Sequence, residues 1–257
     1  MPSLLVMLLL LCSITFVQLA AYAQVLGNAP VPVNGAAFVR SQTKLFIQGG
    51  VVTALGNTVA QQNQMFALDL AVPWNSNSPV WISLKQGPTQ GFHTAAMSTD
   101  EQTFVTFRTT AASTNNSALS YRFHVGSNVW DQSSVRVQYP GKDGISAVQD
   151  PLSGLVYLAG GYQSDDSQMY VYNIDTDTIT MFPMPHNYML DRAHYSGLYL
   201  KSRKSILYFG GATSGGQPSM DQITEFIPST GAWSTLTTYN QNPPHRADFC
   251  MVSSKFE

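Results

Sequence analysis

The sequence predicts an all-β protein assembled from repeated units of about fifty residues. One sign is an apolar, strand-like run that ends on two glycines at residues 155–161 and returns at residues 206–211. Another is a position that recurs at a steady step, at residues 81, 130, 180 and 233, and holds tryptophan as Trp81, Trp130 and Trp233. Runs of β-branched and aromatic residues bounded by glycine are typical of buried strands that end in turns. A fixed period of this length indicates several such units packed side by side.

The composition limits the classes of partner. The chain has 257 residues, of which 44% are hydrophobic, so it can bury a sizeable core. Only 11% of the residues are charged, and the formal net charge is -2. Because binding to nucleic acid or to an anionic membrane surface depends on a basic field, neither is expected as a partner.

Residues 1–23 have the pattern of a secretory signal peptide. An apolar run at residues 4–17 is too short to span a bilayer, and the small-x-small sequence Ala21-Tyr22-Ala23 follows it. No Lys or Arg precedes the run, and a buried helix or a signal anchor is the alternative interpretation. We therefore exclude residues 1–23 from the fold and expect a secreted chain or one tethered at the cell surface. Membrane association is expected only if a further C-terminal segment supplies a transmembrane helix.

Two features of the remaining chain bear on the secretory route. Cys250 is the only cysteine left once Cys12 leaves with the signal peptide, so no internal disulfide can form. We interpret Cys250 as a small buried apolar residue, with a partner lost because the sequence stops early as the alternative. The tripeptide Asn115-Asn116-Ser117 is an acceptor for N-glycosylation in a polar stretch.

The first two repeats are each predicted to form four antiparallel strands. The first covers residues 34–86, with strands at 34–40, 44–50, 65–68 and 80–84 and a long loop at 51–62. The second covers residues 90–138, with strands at 92–97, 103–107, 119–125 and 129–130. In the second repeat, Arg108-Thr109-Thr110 replaces the double glycine.

The next two repeats follow the same order. The third covers residues 144–184, with strands at 145–148, 155–161, 169–174 and 178–182, and Thr180 stands where the others carry tryptophan. The fourth covers residues 192–238, with strands at 193–200, 206–211, 222–227 and 232–236. The turns before the last strands, at 175–177 and 228–231, consist of residues that turns select.

Residues 246–257 are predicted to begin a fifth repeat. The segment 246–253 aligns with residues 192–199, and Lys255-Phe256 match the start of a second strand at residues 44–46. We therefore expect an incomplete ring, with the chain ending inside a repeat. A ring of four units, closed by the segment 246–253, is the alternative.

The double glycine, an aromatic residue in the third strand and a tryptophan in the fourth resemble the kelch repeat of β-propellers. The likeness covers residues 34–257, is marked in the third and fourth repeats and is weak in the second. It implies a kelch-type β-propeller with four four-stranded blades and the start of a fifth, packed radially about an axis. The recurring residues then have structural roles, with the tryptophans between neighbouring blades: Gly49, Gly50, Gly160, Gly161, Gly210, Gly211, Trp81, Trp130 and Trp233.

Function is expected on one face of this propeller. Because strand direction alternates, the loops after the second strands and the linkers between blades emerge on the same face, and binding residues concentrate on such loops. Their aromatic and charged side chains suit a peptide or glycan ligand. The candidate binding residues are Tyr162, Asp165, Asp166, Tyr188, Asp191, Arg192 and Arg246, accompanied by the loop tyrosines Tyr139 and Tyr239. The sequence thus predicts a non-catalytic extracellular module that binds a protein or glycan.

A propeller enzyme of the copper radical oxidase class, related to galactose oxidase, is the alternative. His93, His194 and His245 fall at similar places at the starts of blades, and imidazole is a good copper ligand. The resemblance would also require a cysteine-crosslinked tyrosine, and Cys250 has no evident counterpart. No phosphate-binding glycine loop or Gly-x-Ser-x-Gly motif is present. We therefore predict no catalytic residue, no metal and no cofactor.

Overall fold

The computed structural model describes residues 29–54, 58–107, 120–134, 144–161, 167–185, 187–239 and 243–251. These residues form four four-stranded antiparallel sheets and one two-stranded hairpin. The four sheets are the blades of a four-bladed β-propeller, which confirms the predicted fold class. The predicted signal peptide and the glycosylation site at Asn115 lie outside the described residues.

Each blade is built from strands that follow one another in the chain, apart from a hairpin inserted in the first blade. The first blade contains β1 (Ala37–Arg40), β2 (Lys44–Gln48), β5 (Met65–Asp69) and β6 (Trp81–Ser83), and the hairpin is β3 (Val51–Ala54) with β4 (Thr58–Gln61). The second contains β7 (Thr94–Met97), β8 (Thr103–Phe107), β9 (Ser120–His124) and β10 (Val129–Gln132). The third contains β11 (Ala147–Gln149), β12 (Leu155–Leu158), β13 (Gln168–Asn173) and β14 (Thr178–Pro183). The fourth contains β15 (Ser196–Leu200), β16 (Ser205–Phe209), β17 (Gln222–Ile227) and β18 (Ala232–Thr237).

The hairpin corrects the long loop expected at residues 51–62. Val51 pairs with Gln61 and Val52 with Ala60 in an antiparallel register. β-Branched residues on both sides of the turn favour extended backbone. The run follows Gly49-Gly50 directly, at the point where the repeat pattern predicts the end of a strand, so the sequence pattern indicates a loop there. The hairpin stands on the same face as the linkers, because Gln62 is bridged to Gln90.

The tryptophan position can be assigned from the turn between the third and fourth strands. In the second, third and fourth blades, this turn contains one residue with a positive φ. These residues are Asn128, Asp177 and Gly231. Trp130 and Trp233 each lie two residues after it. The same place in the third blade is held by Ile179, so the expectation of Thr180 there is wrong by one residue. Ile179 packs against the cluster between the second and third blades. An aliphatic side chain therefore stands there in place of the tryptophan ring of the other blades.

Three clusters of buried side chains hold consecutive blades together. Aromatic pairs span them, with ring centroids 6.2, 5.2 and 5.7 Å apart for Phe46–Phe104, Phe107–Tyr172 and Tyr157–Phe226. Trp130 packs against the first cluster and Trp233 against the third, whereas Trp81 lies opposite Leu68 on the other face of the first blade. Among the described residues, none of these three clusters joins the fourth blade to the first, and the second and third blades have a cluster on each face.

The double glycines position the start of the following blade. The second glycine of each pair donates its N–H to a linker carbonyl: Gly50 to Gln90 at 2.8 Å, Gly161 to Arg192 at 2.7 Å and Gly211 to Arg246 at 2.8 Å. The first glycine has no room for a side chain, since a Cβ on Gly160 would lie 2.6 Å from the carbonyl oxygen of Arg192. Gly160 also has a φ of +72°, which an L side chain rarely adopts.

A second set of backbone bonds runs between the starts of the blades. It links residues of positive φ: Phe92 N–H to Gly35 O at 2.8 Å, His194 N–H to Gly144 O at 2.7 Å and Asp248 N–H to His194 O at 3.0 Å. Asp248 therefore lies where a fifth blade would begin. The described residues 243–251 nevertheless form no strand. Cys250 is exposed beside Asp248, so its interpretation as a buried apolar residue is wrong.

Candidate functional site: the loop face and the first-linker groove

One surface of the propeller carries the double-glycine corners, the loops after the second strands and the linkers between blades. Backbone bridges tie these segments to one another: Asn34–Val51, Gln62–Gln90 and Ala193–Ala212. The turns between first and second strands lie at the opposite ends of the strands. We call the surface with the linkers the loop face.

Tyr188 lies in the linker before the fourth blade and turns inward. Its ring stacks on Trp233 with centroids 5.6 Å apart and an interplanar angle of 26°. Its hydroxyl donates to the carbonyl oxygen of Trp233 at 3.2 Å. The residue is half-buried, so most of its aromatic surface joins the third and fourth blades and little is left for a ligand.

Asp191 and Arg192 also make internal bonds. The Asp191 carboxylate accepts hydrogen bonds from the backbone N–H of Ser214, at 2.7 Å, and from its hydroxyl. Arg192 is only 5% exposed; its Nε donates to Gly210 O at 2.7 Å and its Nη1 to Thr224 Oγ1 at 2.9 Å. These contacts correct the expectation that Arg192 is an accessible binding residue, because its guanidinium stabilises the corner of the fourth blade.

The other candidates divide between exposed and undescribed positions. Arg246 has an exposed side chain, while its backbone carbonyl accepts the bond from Gly211. Tyr239, in the linker after the fourth blade, is 88% exposed. Tyr139, Tyr162, Asp165 and Asp166 lie outside the described residues. Arg246 and Tyr239 are thus the accessible predicted residues among those that the structure describes.

A groove of about 450 Å³ opens between the linker after the first blade and the outer strands of the second. Its lining consists of Gln86, Gly87, Pro88, Thr89 and Gln90 on one side and Tyr121, Trp130, Asp131 and Gln132 on the other. Asp131 is the charged member of this lining, and its carboxylate lies 2.9 Å from His124 Nε2. We call this site the first-linker groove.

A buried polar pair supports the floor of the first-linker groove. Gln48 Nε2 donates to Pro88 O at 2.7 Å, which turns its Oε1 toward His93 Nε2. The imidazole must therefore donate from Nε2, and Nδ1 is left as an acceptor without a partner among the described residues. Burial lowers the pKa of His93 to about 3, so the ring is neutral at physiological pH.

Gln90 is the unusual residue of the first-linker groove. Its side chain is 2% exposed, and neither Oε1 nor Nε2 has a hydrogen-bond partner in the described part of the chain. The hydroxyl of Thr106, which lies opposite Tyr121 in the second blade, is likewise buried without a partner. Buried polar groups are nearly always paired, so these atoms mark a place where a partner belongs.

The corresponding region of the fourth blade is packed with larger side chains. Gln90 and Arg192 occupy the same place, because each backbone carbonyl receives the bond from a double glycine. The counterpart of Thr106 is Tyr208, whose ring lies 6.0 Å from Trp233. Sequence reasoning missed the first-linker groove, although the exchange of Arg for Gln and of Tyr for Thr at repeat-equivalent positions was a signal that could have found it.

The histidines do not share a site. His93 is bonded to Gln48, His194 Nδ1 lies 2.8 Å from Asp248 and His245 Nδ1 lies 2.7 Å from the carbonyl oxygen of Pro218. The backbone bonds between blade starts make Phe92, not His93, the equivalent of His194. Within the described ranges, no three His, Cys, Asp or Glu residues form a group that could hold a metal ion.

The comparisons with known proteins support the fold alone. No protein-family model matches the chain, and no curated protein matches it. Among solved structures, one titled "Structure of YjhT" superposes with a TM-score of 0.60 at 12% sequence identity. The match covers 84% of this chain and 68% of that one. In the part of the chain that is described, no helix has the length and apolar character needed to cross a bilayer.

Proposed function

We propose that the protein is a non-catalytic, extracellular interaction module of the kelch type that binds a peptide or glycan on its loop face. The observation that carries this proposal is the geometry of the corners, where double-glycine bonds bring loops and linkers of successive blades onto one surface. A rigid core with loops at one end is the usual arrangement of a binding scaffold. Arg246 and Tyr239 are exposed on that surface and suit recognition.

The proposal is tested by binding of the chain, without residues 1–23, to arrays of immobilised extracellular glycans and peptides. We expect Arg246→Ala and Tyr239→Ala each to weaken binding to any captured ligand by about 1 kcal/mol or more, close to a fivefold rise in Kd. Both side chains are exposed, so the fold should be unaffected. Calorimetry on the wild-type chain and the variants measures the change.

Lys204→Ala is the matched control, because Lys204 is exposed in the turn between β15 and β16, at the opposite end of the strands. It should leave binding unchanged. Equal losses for all three variants would indicate non-specific adhesion and contradict a site on the loop face. Copper-dependent hydrogen peroxide production that is lost on changing His194 would instead establish the oxidase alternative, which no contact in the described residues favours.

A further inference from the structure

We infer that the first-linker groove is a binding site for a neutral saccharide, with Gln90 as its buried hydrogen-bonding residue. This inference deepens the proposed function, on which it rests, by naming one site and one ligand class. It uses none of the residues that the sequence singled out for binding.

The charge of the groove restricts the ligand. The described residues of the lining include no Lys, Arg or His to attract a phosphate, a sulfate or a carboxylate. Its one carboxylate, on Asp131, already faces His124 at 2.9 Å, which leaves little to hold a cation. A ligand without net charge is therefore favoured.

The polar groups of the groove match hydroxyls. The amides of Gln86, Gln90 and Gln132 each offer both a donor and an acceptor, and the hydroxyls of Thr89 and Tyr121 do the same. A sugar hydroxyl is also both donor and acceptor, so it can satisfy both ends of a carboxamide. The ring of Trp130 adds an aromatic surface, half-buried at the edge of the groove.

Gln90 provides the independent sign that a partner is missing. Two buried amide atoms without a hydrogen bond cost stability. Both have almost no accessible surface, so ligand binding requires the Gln90 side chain to turn toward the groove that this residue lines. The fourth blade shows a more closely packed alternative, although Arg192 Nη2 and Trp233 Nε1 are also buried there without a partner among the described residues. There Arg192 bonds to Gly210 and Thr224, and Tyr188 stacks on Trp233.

Space at the groove follows from small residues at the equivalent places. At Gly87 the linker is packed directly on Trp130, since a Cβ there would lie 2.7 Å from Cζ2, so the space does not come from this point. Thr106 takes the place of Tyr208 and leaves out a phenol ring. Two exchanges at repeat-equivalent sites, Gln90 for Arg192 and Thr106 for Tyr208, therefore leave smaller side chains at the first-linker groove.

The test uses hexasaccharides of glucose, xylose, mannose and galactose as neutral probes, with oligogalacturonate as an acidic comparison. Binding is followed by calorimetry and by the fluorescence of the tryptophans. Gln90→Leu keeps the volume of the side chain but removes the amide, and Gln132→Ala changes an exposed member of the lining. We expect at least one neutral probe to bind and each variant to lose about tenfold or more in affinity.

Stability separates a ligand-binding role from a structural one. Because the Gln90 amide has no partner in the described residues, Gln90→Leu should leave the thermal midpoint unchanged or raise it while binding falls. Gln102→Leu is the matched control, since Gln102 is an exposed glutamine in the turn between β7 and β8, away from the groove. It should bind as the wild type does.

The outcomes distinguish this inference from the proposed function. Neutral saccharide binding that survives both groove variants but is lost on Arg246→Ala would overturn the first-linker groove and leave the loop face standing. Binding of a peptide or of the acidic oligosaccharide alone would overturn the neutral ligand class. Absence of binding to every glycan and peptide would overturn both proposals.

Discussion

Gly160 shows at the scale of one residue why the repeated phrase ends on glycines. Two constraints meet there, a φ of +72° and the approach of two linker carbonyls, from Arg192 and Met189. Gly231 has a similar φ of +68° but has no heavy atom within 4 Å of the Cβ it would carry. Comparison of Gly160 with Gly231 therefore separates the cost of a strained φ from the cost of a steric clash.

We predict that Gly160→Ala lowers the free energy of unfolding by about 2–4 kcal/mol, the sum of a strained φ and forced displacement of the linker. Gly231→Ala, the matched control, should cost about 1 kcal/mol from strain alone. Urea denaturation of the two variants and the wild type gives both values. Equal losses in the free energy of unfolding for the two variants would show that the linker can move away from an added Cβ at the corner of the third blade without a measurable cost.

The candidate binding residues show the limit of sequence reasoning at this scale. Arg192 and Arg246 are equivalent in the repeat and were expected to behave alike, yet Arg192 is buried and Arg246 is exposed. Arg192 finds Thr224 and Gly210 in its own blade, within reach of its guanidinium. A linear pattern identifies the position in the blade but does not determine which side chains fold back onto it.

The turn of the third blade is an element that joins neighbours. Asp177 accepts hydrogen bonds from the hydroxyl of Ser133, at 2.5 Å, and from the N–H and hydroxyl of Ser134, both at 2.6 Å, at the end of the second blade. Tyr172 donates to it from its own blade. Burial by itself would raise the pKa of Asp177, but these hydrogen bonds outweigh it and lower the pKa to about 2.

We predict that Asp177→Asn destabilises the protein by about 1–2 kcal/mol at pH 7, after allowance for solvent screening of a partly exposed carboxylate. A depressed carboxyl pKa contributes stability above the ordinary value of 3.8 and loses it as the pH falls toward 2. The difference between variant and wild type should therefore shrink between pH 4 and pH 2. Chemical denaturation at several pH values measures it.

Asp175→Asn is the control for this element, because Asp175 is an exposed carboxylate in the same turn. Its effect on the free energy of unfolding at pH 7 should be small. A constant difference for Asp177→Asn down to pH 2 would mean that the ionised carboxylate is not what joins the second and third blades. Asparagine tolerates the positive φ of 51° at this place, so the backbone should be preserved.

At the scale of the molecule, three clusters of described residues join the first blade to the second, the second to the third and the third to the fourth. The second and third blades are flanked by a cluster on each face, whereas each cluster touching the first or fourth blade covers one face only. In repeat proteins, stability is close to a sum of units and their interfaces, so units with fewer interfaces open more easily.

We predict that amide hydrogens of β8, β9, β12 and β13 exchange most slowly, while those of β1, β2, β17 and β18 exchange faster by local opening. Native-state hydrogen exchange, followed by NMR or mass spectrometry, measures this order. Comparison within one blade provides the control, because central strands should be more protected than outer strands in every blade. Uniform protection across the four blades would contradict the row of separable units and indicate one cooperative ring.

The sequence by itself determined the all-β class, the number of complete blades and nearly every strand. Glycine pairs and tryptophans recur because each repeat needs the same close backbone approach and the same packing between blades. The same residue types therefore appear at a regular spacing that can be seen in the sequence. The hairpin at 51–62 and the shift from Thr180 to Ile179 were lost because both depend on pairing register, which short apolar runs specify weakly. Only the tertiary structure decided that Arg192 and Tyr188 turn inward and that Gln90 lies buried beside an open groove. Those outcomes depend on which side chains from a blade about fifty residues away in the sequence pack in the same place. Burial is therefore decided by tertiary packing and not by the local sequence.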